Sequence, residues 1–325
     1  MKTQHIILAA LTISLITFVS CKKDKDPTPT EKSKPSDQAG SNEADEAIED
    51  VNDVINNKIG GGAGYRVASY NLPCGVVKID SNTTNAQGKK VYVIKYGSQT
   101  PCGYEYKSGD VKFELINGNK FSDTGAVYKI TFINYKVEVR ANGQTVALNG
   151  TIYVTNVSGG YVWMPIVNSS VTIVHKLRGS FNVTFNDEVT RPRNYYQRRT
   201  WSSTGGWAGL TFEANGDTTI NGKIIAETGN TYEHNFPYQT EIITPLRWSN
   251  CGNTWAGPYV LKTGEAKAHA EVPNISPVYF QVEAGYKMNS PTQTEPPIKV
   301  NDCTSNAYKI TVVIGQQTTT QYQMY

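Results

Sequence analysis

From Val171 to Asn186 the chain alternates with a period of two, and that pattern admits few folds. Val171, Ile173, His175, Leu177, Phe181, Val183 and Phe185 share one parity, while Thr172, Lys176, Arg178, Ser180, Asn182, Thr184 and Asn186 take the other. Successive side chains of a strand point to opposite faces, so the first set is expected in a core and the second in water. Unbroken, the run would reach roughly 50 Å, so a bend or bulge is expected near Gly179.

Similar runs fill most of the chain after Tyr65. Before the central region, strands are expected at Val76 to Asp80, Lys90 to Tyr96, Asp110 to Ile116, Ala126 to Arg140, Thr145 to Val157 and Tyr161 to Val167. After it they are expected near Trp207 to Glu213, Thr219 to Glu227, Tyr232 to Phe236, Glu241 to Trp248, Tyr259 to Leu261, Glu265 to Glu271, Val278 to Ala284 and Tyr308 to Ile314. The pairs Asn117-Gly118, Asn142-Gly143, Asn149-Gly150, Asn215-Gly216 and Asn221-Gly222 tolerate positive φ and favour tight antiparallel hairpins. Charged residues make up only 18% of the chain, against 28 Gly and 20 Tyr, which suits strands and turns and not a helical bundle or a disordered chain. The expected fold is all-β and mainly antiparallel, either sandwich-like or an elongated twisted sheet, with one short N-terminal helix. A net charge of +3 with no concentrated basic module gives no expectation of nucleic-acid binding.

The N-terminus supplies an address. A basic start at Lys2, an apolar run from Ile6 to Val19 and a small residue, Ser20, precede Cys21, which is the layout of a secretory signal too short to span a bilayer comfortably. With the cysteine directly after Phe18-Val19-Ser20, Cys21 is expected to carry lipid and to anchor the protein in a membrane. Lys22 to Gly40 is a polar, proline-bearing tether. Ser41 to Ile59 repeats Ala44, Ala47, Ile48, Val51, Val54 and Ile55 at spacings of three and four, with Glu43, Asp45, Glu46, Glu49 and Asp50 in its first half, and predicts a helix. Gly60-Gly61-Gly62-Ala63-Gly64 ends it and lacks the setting of a phosphate loop.

The plan is therefore a signal peptide at 1–20, a lipidated tether at 21–40, a short helix at 41–59, a first β unit at 65–186, an Arg- and aromatic-rich loop at 187–206 and a second β unit at 207–325. The two units form separate bodies or one continuous domain. Echoes between Ala141-Asn142-Gly143 and Ala214-Asn215-Gly216 hint at a duplication. Four cysteines of an exported chain remain, and of their three pairings Cys74 with Cys102 and Cys251 with Cys303 is preferred, because each pair brackets a local group of strands.

The Cys21-Lys22-Lys23-Asp24-Lys25-Asp26 start, the acidic helix, and the Cys-Gly and Tyr-Gly-x(4)-Cys phrases such as Tyr96 to Cys102 resemble uncharacterised lipoproteins of Bacteroidota. The resemblance implies lipid anchoring in the outer membrane, on its cell-surface or periplasmic face, and implies no particular reaction.

Candidate chemistry is sparse. No Gly-x-Ser-x-Gly elbow or His-Glu-x-x-His site occurs, and His175, His234 and His269 have no ligand-like spacing with the cysteines, so neither a metal nor a cofactor is expected. His175 reads as a core imidazole. Arg191, Arg193, Tyr195, Tyr196, Arg198, Arg199 and Trp201 form the strongest recognition candidate, because arginine forks bind carboxylate or sulfate and flat rings stack on sugars. Trp163, Trp207, Trp248 and Trp255 enlarge the aromatic supply. The favoured reading is an envelope lipoprotein that binds a glycan or an envelope protein or has a structural role, without catalysis. A carbohydrate-active hydrolase using paired carboxylates drawn from Asp187, Glu188 and Glu213 is one alternative. A secretion or surface-assembly component is the other.

Overall fold

A computed structural model describes residues 39–59, 72–98, 101–252, 259–291, 293 and 295–324. The signal peptide, Cys21, most of the tether, the glycine corner at 60–64 and Trp255 lie outside the described residues. The fold is all-β and antiparallel, with the expected short helix at its N-terminal end. No described helix is long and apolar enough to cross a membrane.

The chain divides into two compact units. One runs up to Val162 and takes up Leu177–Asn194; the other holds Trp163–Lys176 and Tyr195–Tyr325. The division therefore falls inside β7 (Ile173–Phe185) and β8 (Val189–Ser203), and not at a loop between residues 187 and 206.

In the N-terminal unit, β1 (Val76–Thr84), β2 (Lys90–Tyr96), β4 (Glu105–Asn117), β5 (Ala126–Val139) and β6 (Thr145–Asn156) pair antiparallel in sequence, with the two-residue β3 (Pro101–Cys102) on β4. Helix α1 (Ala39–Asp53) continues as one wider turn at Val54–Ile59 and packs against β4 and β6. Its apolar stripe of Ala44, Ala47, Ile48, Val51 and Val54 is buried, as its spacing requires. Tyr92, Phe113, Phe121 and Tyr128 stack edge and face across the same core, with successive ring centroids 5.0, 5.9 and 5.5 Å apart.

In the C-terminal unit, β9 (Leu210–Gly216), β12 (Pro237–Asn250), β13 (Tyr259–Ala270), β14 (Val278–Lys287), β16 (Ala307–Ile314) and β17 (Gln317–Met324) pair antiparallel in that order, and β15 (Ile298–Lys299) pairs briefly with β14. Strand β12 changes partner along its length: Pro237 to Glu241 pair with β11 (Lys223–Asn230), and Leu246 to Ser249 pair with β9. The register shifts around Thr244 and Arg247, beside Pro245, which has no N–H to give a ladder. Phe280, Val282, Tyr308, Ile310 and Val312 form a buried cluster.

Both expected disulfides are present, Cys74–Cys102 in the N-terminal unit and Cys251–Cys303 in the C-terminal one, with Cα separations of 5.4 and 5.7 Å.

Several local expectations are corrected. Tyr161 to Val167 is not a strand: it ends in a short helix, α2 (Met164–Val167), with Pro165 in the first turn, where its missing N–H costs nothing. Tyr232 to Phe236 is the turn between β11 and β12. Asn221-Gly222 makes the expected hairpin between β10 (Thr218–Ile220) and β11, with φ of 51° and 77°. Asn149-Gly150, by contrast, lies inside β6. A Cβ on Gly150 would stand 2.5 Å from the Phe181 Cα, and one on Gly179 would stand 2.2 Å from the Thr151 oxygen. Glycine at both positions lets β6 and β7 approach closely, while β7 runs through Gly179 as one strand with its alternation in phase.

Candidate functional site

The segment expected as a loop at 187–206 is mostly β8, and its side chains obey the period of two. Arg193, Tyr195, Arg199, Trp201 and Ser203 are buried, whereas Thr190, Pro192 and Arg198 are exposed. Arginines on the inward parity disguised the alternation, because they score as polar while occupying core positions. The recognition candidates are thus split. Arg199 and Trp201 share one face; Arg198 and Tyr196 belong to the other. Arg191 is half-buried, and Arg193 donates to the Pro192 carbonyl at 3.2 Å.

On the inward face of the C-terminal unit, strand register builds an aromatic row. Trp201 of β8 and Trp248 of β12 both stand opposite Phe212 of β9. Ring centroids are 5.3 Å apart between Trp201 and Phe212 and 5.2 Å between Phe212 and Trp248. His175 meets Trp201 edge-on at 4.9 Å. The row grades from buried to open: His175 is 5% exposed and Trp201 4%, while Phe212 and Trp248 are partly exposed. The Arg199 guanidinium carbon lies 5.9 Å from the Phe212 ring centroid, and its Nε donates to Gln197 Oε1 at 3.2 Å. Two partly open rings, inclined by 31°, make an aromatic shelf beside the buried Arg199 guanidinium.

His175 behaves as a core imidazole. Burial first, and the charge of Arg199 second, hold its pKa down at about 3, so it stays neutral at ordinary pH. His269 and Glu241 share a contact at 2.9 Å, with Lys223 3.4 Å from the same carboxylate. His234 lies 3.7 Å from Glu233.

Two of the three carboxylates singled out for hydrolysis are engaged in ion pairs: Asp187 with Lys136 at 2.6 Å and Glu213 with Arg247 at 2.7 Å. Among the described residues, the concentrated acidic chemistry is in the N-terminal unit instead. Glu43, Glu46 and Asp50 lie at i, i+3 and i+7 on α1 and face Glu105 and Lys107 of β4, Tyr96 of β2 and Tyr135 of β5. The buried Lys107 ammonium lies 2.5 Å from Glu46 Oε1 and 4.0 Å from Asp50 Oδ2, and the Tyr96 hydroxyl donates to Asp50 at 2.6 Å. Burial pulls the Lys107 ammonium down, but the carboxylates of Glu46 and Asp50 outweigh it and the group is held above its ordinary value. Desolvation pushes Asp50 up to about 7, against the pull of Lys107 and Tyr96. Glu43 is raised well above the carboxylate range by burial, then by Glu105 and Glu46. The helical spacing of these acids was visible in the sequence; their facing Lys107 was not.

Comparison with protein-family models, curated proteins and solved structures gives no match.

Proposed function

We propose that the protein is an outer-membrane lipoprotein, anchored through Cys21, whose C-terminal unit binds a glycan on the Phe212–Trp248 shelf. The observation that carries this reading is the aromatic row, which leaves two rings partly open at one end. Stacking on such faces suits the apolar side of a sugar ring, and the buried Arg199, 5.9 Å from the Phe212 centroid, helps to fix that ring. Burying rings and an arginine on a sheet face fixes their rotamers, so little conformational entropy is lost on binding. The signal layout and tether support export and lipid attachment, with the folded body held off the membrane.

The test is a glycan array probed with soluble protein starting at Ser41, alongside the Trp248→Ala and Arg199→Gln variants. Binding of a glycan, weakened more than about tenfold by Trp248→Ala, supports the reading, and an array without signal refutes it. Radiolabelled palmitate incorporation into the full chain and its loss in Cys21→Ser test the anchor.

A further inference from the structure

The acid-rich contact between α1 and β4 holds a second, unrelated chemistry. Glu43, Glu46 and Glu105 each offer a carboxylate oxygen, and the three oxygens lie within 4.8 Å of one another. Oxygens so grouped suit an ion with a roomy, flexible oxygen shell at about 2.3 to 2.6 Å, such as Ca²⁺. Mg²⁺ demands near-ideal octahedral geometry at about 2.0 to 2.1 Å and gives up its waters reluctantly, so a site of three protein carboxylates suits it less.

Two further atoms bear on the site. Glu43 Oε2 is shut off from solvent and has no hydrogen-bond partner. The hydroxyl of Tyr135, on a side chain with no exposed surface, has none either. That ring meets Tyr96 edge-on at 4.9 Å, and the field of Glu43, Glu46 and Asp50 acts on its hydroxyl. Buried polar atoms without partners are rare and costly. Charge points the same way: Lys107 is the one ammonium facing the carboxyl groups of Glu43, Glu46, Asp50 and Glu105, and it stands against Glu46 and Asp50. Its charge also acts on Glu43 and Glu105, but its ion-pair contacts are with Glu46 and Asp50. Glu46, with nearly half its side chain exposed, leaves the cluster open to solvent.

We propose that Glu43, Glu46 and Glu105 form a binding site for a hard divalent cation, calcium in preference to magnesium, that ties α1 to β4. Oxygen-only ligands select such ions over zinc or copper. Glu43 and Glu46, one helical turn apart, approach the ion from the helix, and Glu105 approaches it from the first position of its strand. Water completes the shell on the open Glu46 side.

The full lipidated chain in detergent is stripped with chelator, then titrated with Tb³⁺ while terbium emission is read under tyrosine excitation. The expected result is saturable emission, because Tyr96 and Tyr135 neighbour the site, reversed by Ca²⁺ at concentrations at least about tenfold below those of Mg²⁺. Glu43→Gln and Glu105→Gln are expected to weaken Ca²⁺ competition more than about tenfold. A thermal measurement gives a second readout: millimolar Ca²⁺ raises the melting midpoint of wild type more than that of Glu43→Gln. Absence of sensitised emission overturns the proposal, as does emission or Ca²⁺ competition unchanged in both variants. If the variants fail to fold, the wild-type titration decides: a melting midpoint unmoved by millimolar Ca²⁺ overturns it. A silent glycan array with a positive terbium titration would separate this site from the sugar-binding reading.

Discussion

The Tyr96 hydroxyl of β2 donates a 2.6 Å hydrogen bond to Asp50 of α1, across 46 positions of chain. The bond lies in the buried layer where the helix covers the sheet, so it joins the only long described helix to the strands. Tyr96→Phe keeps the ring against Tyr135 and removes the donor. A lost bond to a buried carboxyl costs about 1 to 3 kcal/mol, and equilibrium urea unfolding should show a lower midpoint with an unchanged slope.

The mutual approach of β6 and β7 is equally specific. Alanine at Gly150 or Gly179 would place a methyl group against backbone atoms of Phe181 or Thr151, which have no rotamer to yield. Each substitution should destabilise by roughly 1 to 3 kcal/mol through overpacking. Thermal unfolding of the two variants checks this, with Gly222→Ala as a comparison in which the turn is strained but the added methyl meets open space.

Histidine 175 gives the fold a defined acid sensitivity. An unfolded histidine binds its proton near pH 6.5, whereas the buried one binds it only at about 3. Its contribution to stability is therefore complete above pH 6.5 and is lost as pH falls through the interval between the two values, at up to about 1.4 kcal/mol per pH unit. Denaturant titrations from pH 7 to pH 4 should show a shallower loss in His175→Phe than in wild type.

The two disulfides differ in the loops they close. Cys251 and Cys303 are 52 residues apart and Cys74 and Cys102 are 28. On chain entropy alone the first restrains the unfolded chain by about 4 kcal/mol and the second by about half a kcal/mol less. Unfolding of the two double Cys→Ala variants should rank them in that order.

Much of the sheet could be read in the sequence because alternation is a local property. Lys90–Tyr96 was legible residue for residue, and the alternation of Ile173–Phe185 sorted its inward and outward faces correctly. Strand β8 was missed because Arg193 and Arg199 fill positions that an apolar pattern would leave to hydrocarbons. The recognition candidate grouped residues that the strand divides: Arg198 and Trp201 lie three residues apart and on opposite faces of the strand.

The sequence by itself determined the class of fold, the hairpin at Asn221-Gly222, the helix at its acidic start and the pairing of cysteines that bracket local strands, because each depends on neighbours within a few residues or one group of strands. Register and long-range packing decided the rest. Only the alignment of β8, β9 and β12 places Trp201, Phe212 and Trp248 in one row, and only the seating of α1 on β4 sets four carboxyl groups around Lys107. Such groups acquire their chemistry when water is removed and distant charges are brought within a few ångströms, and that happens between elements far apart in the chain.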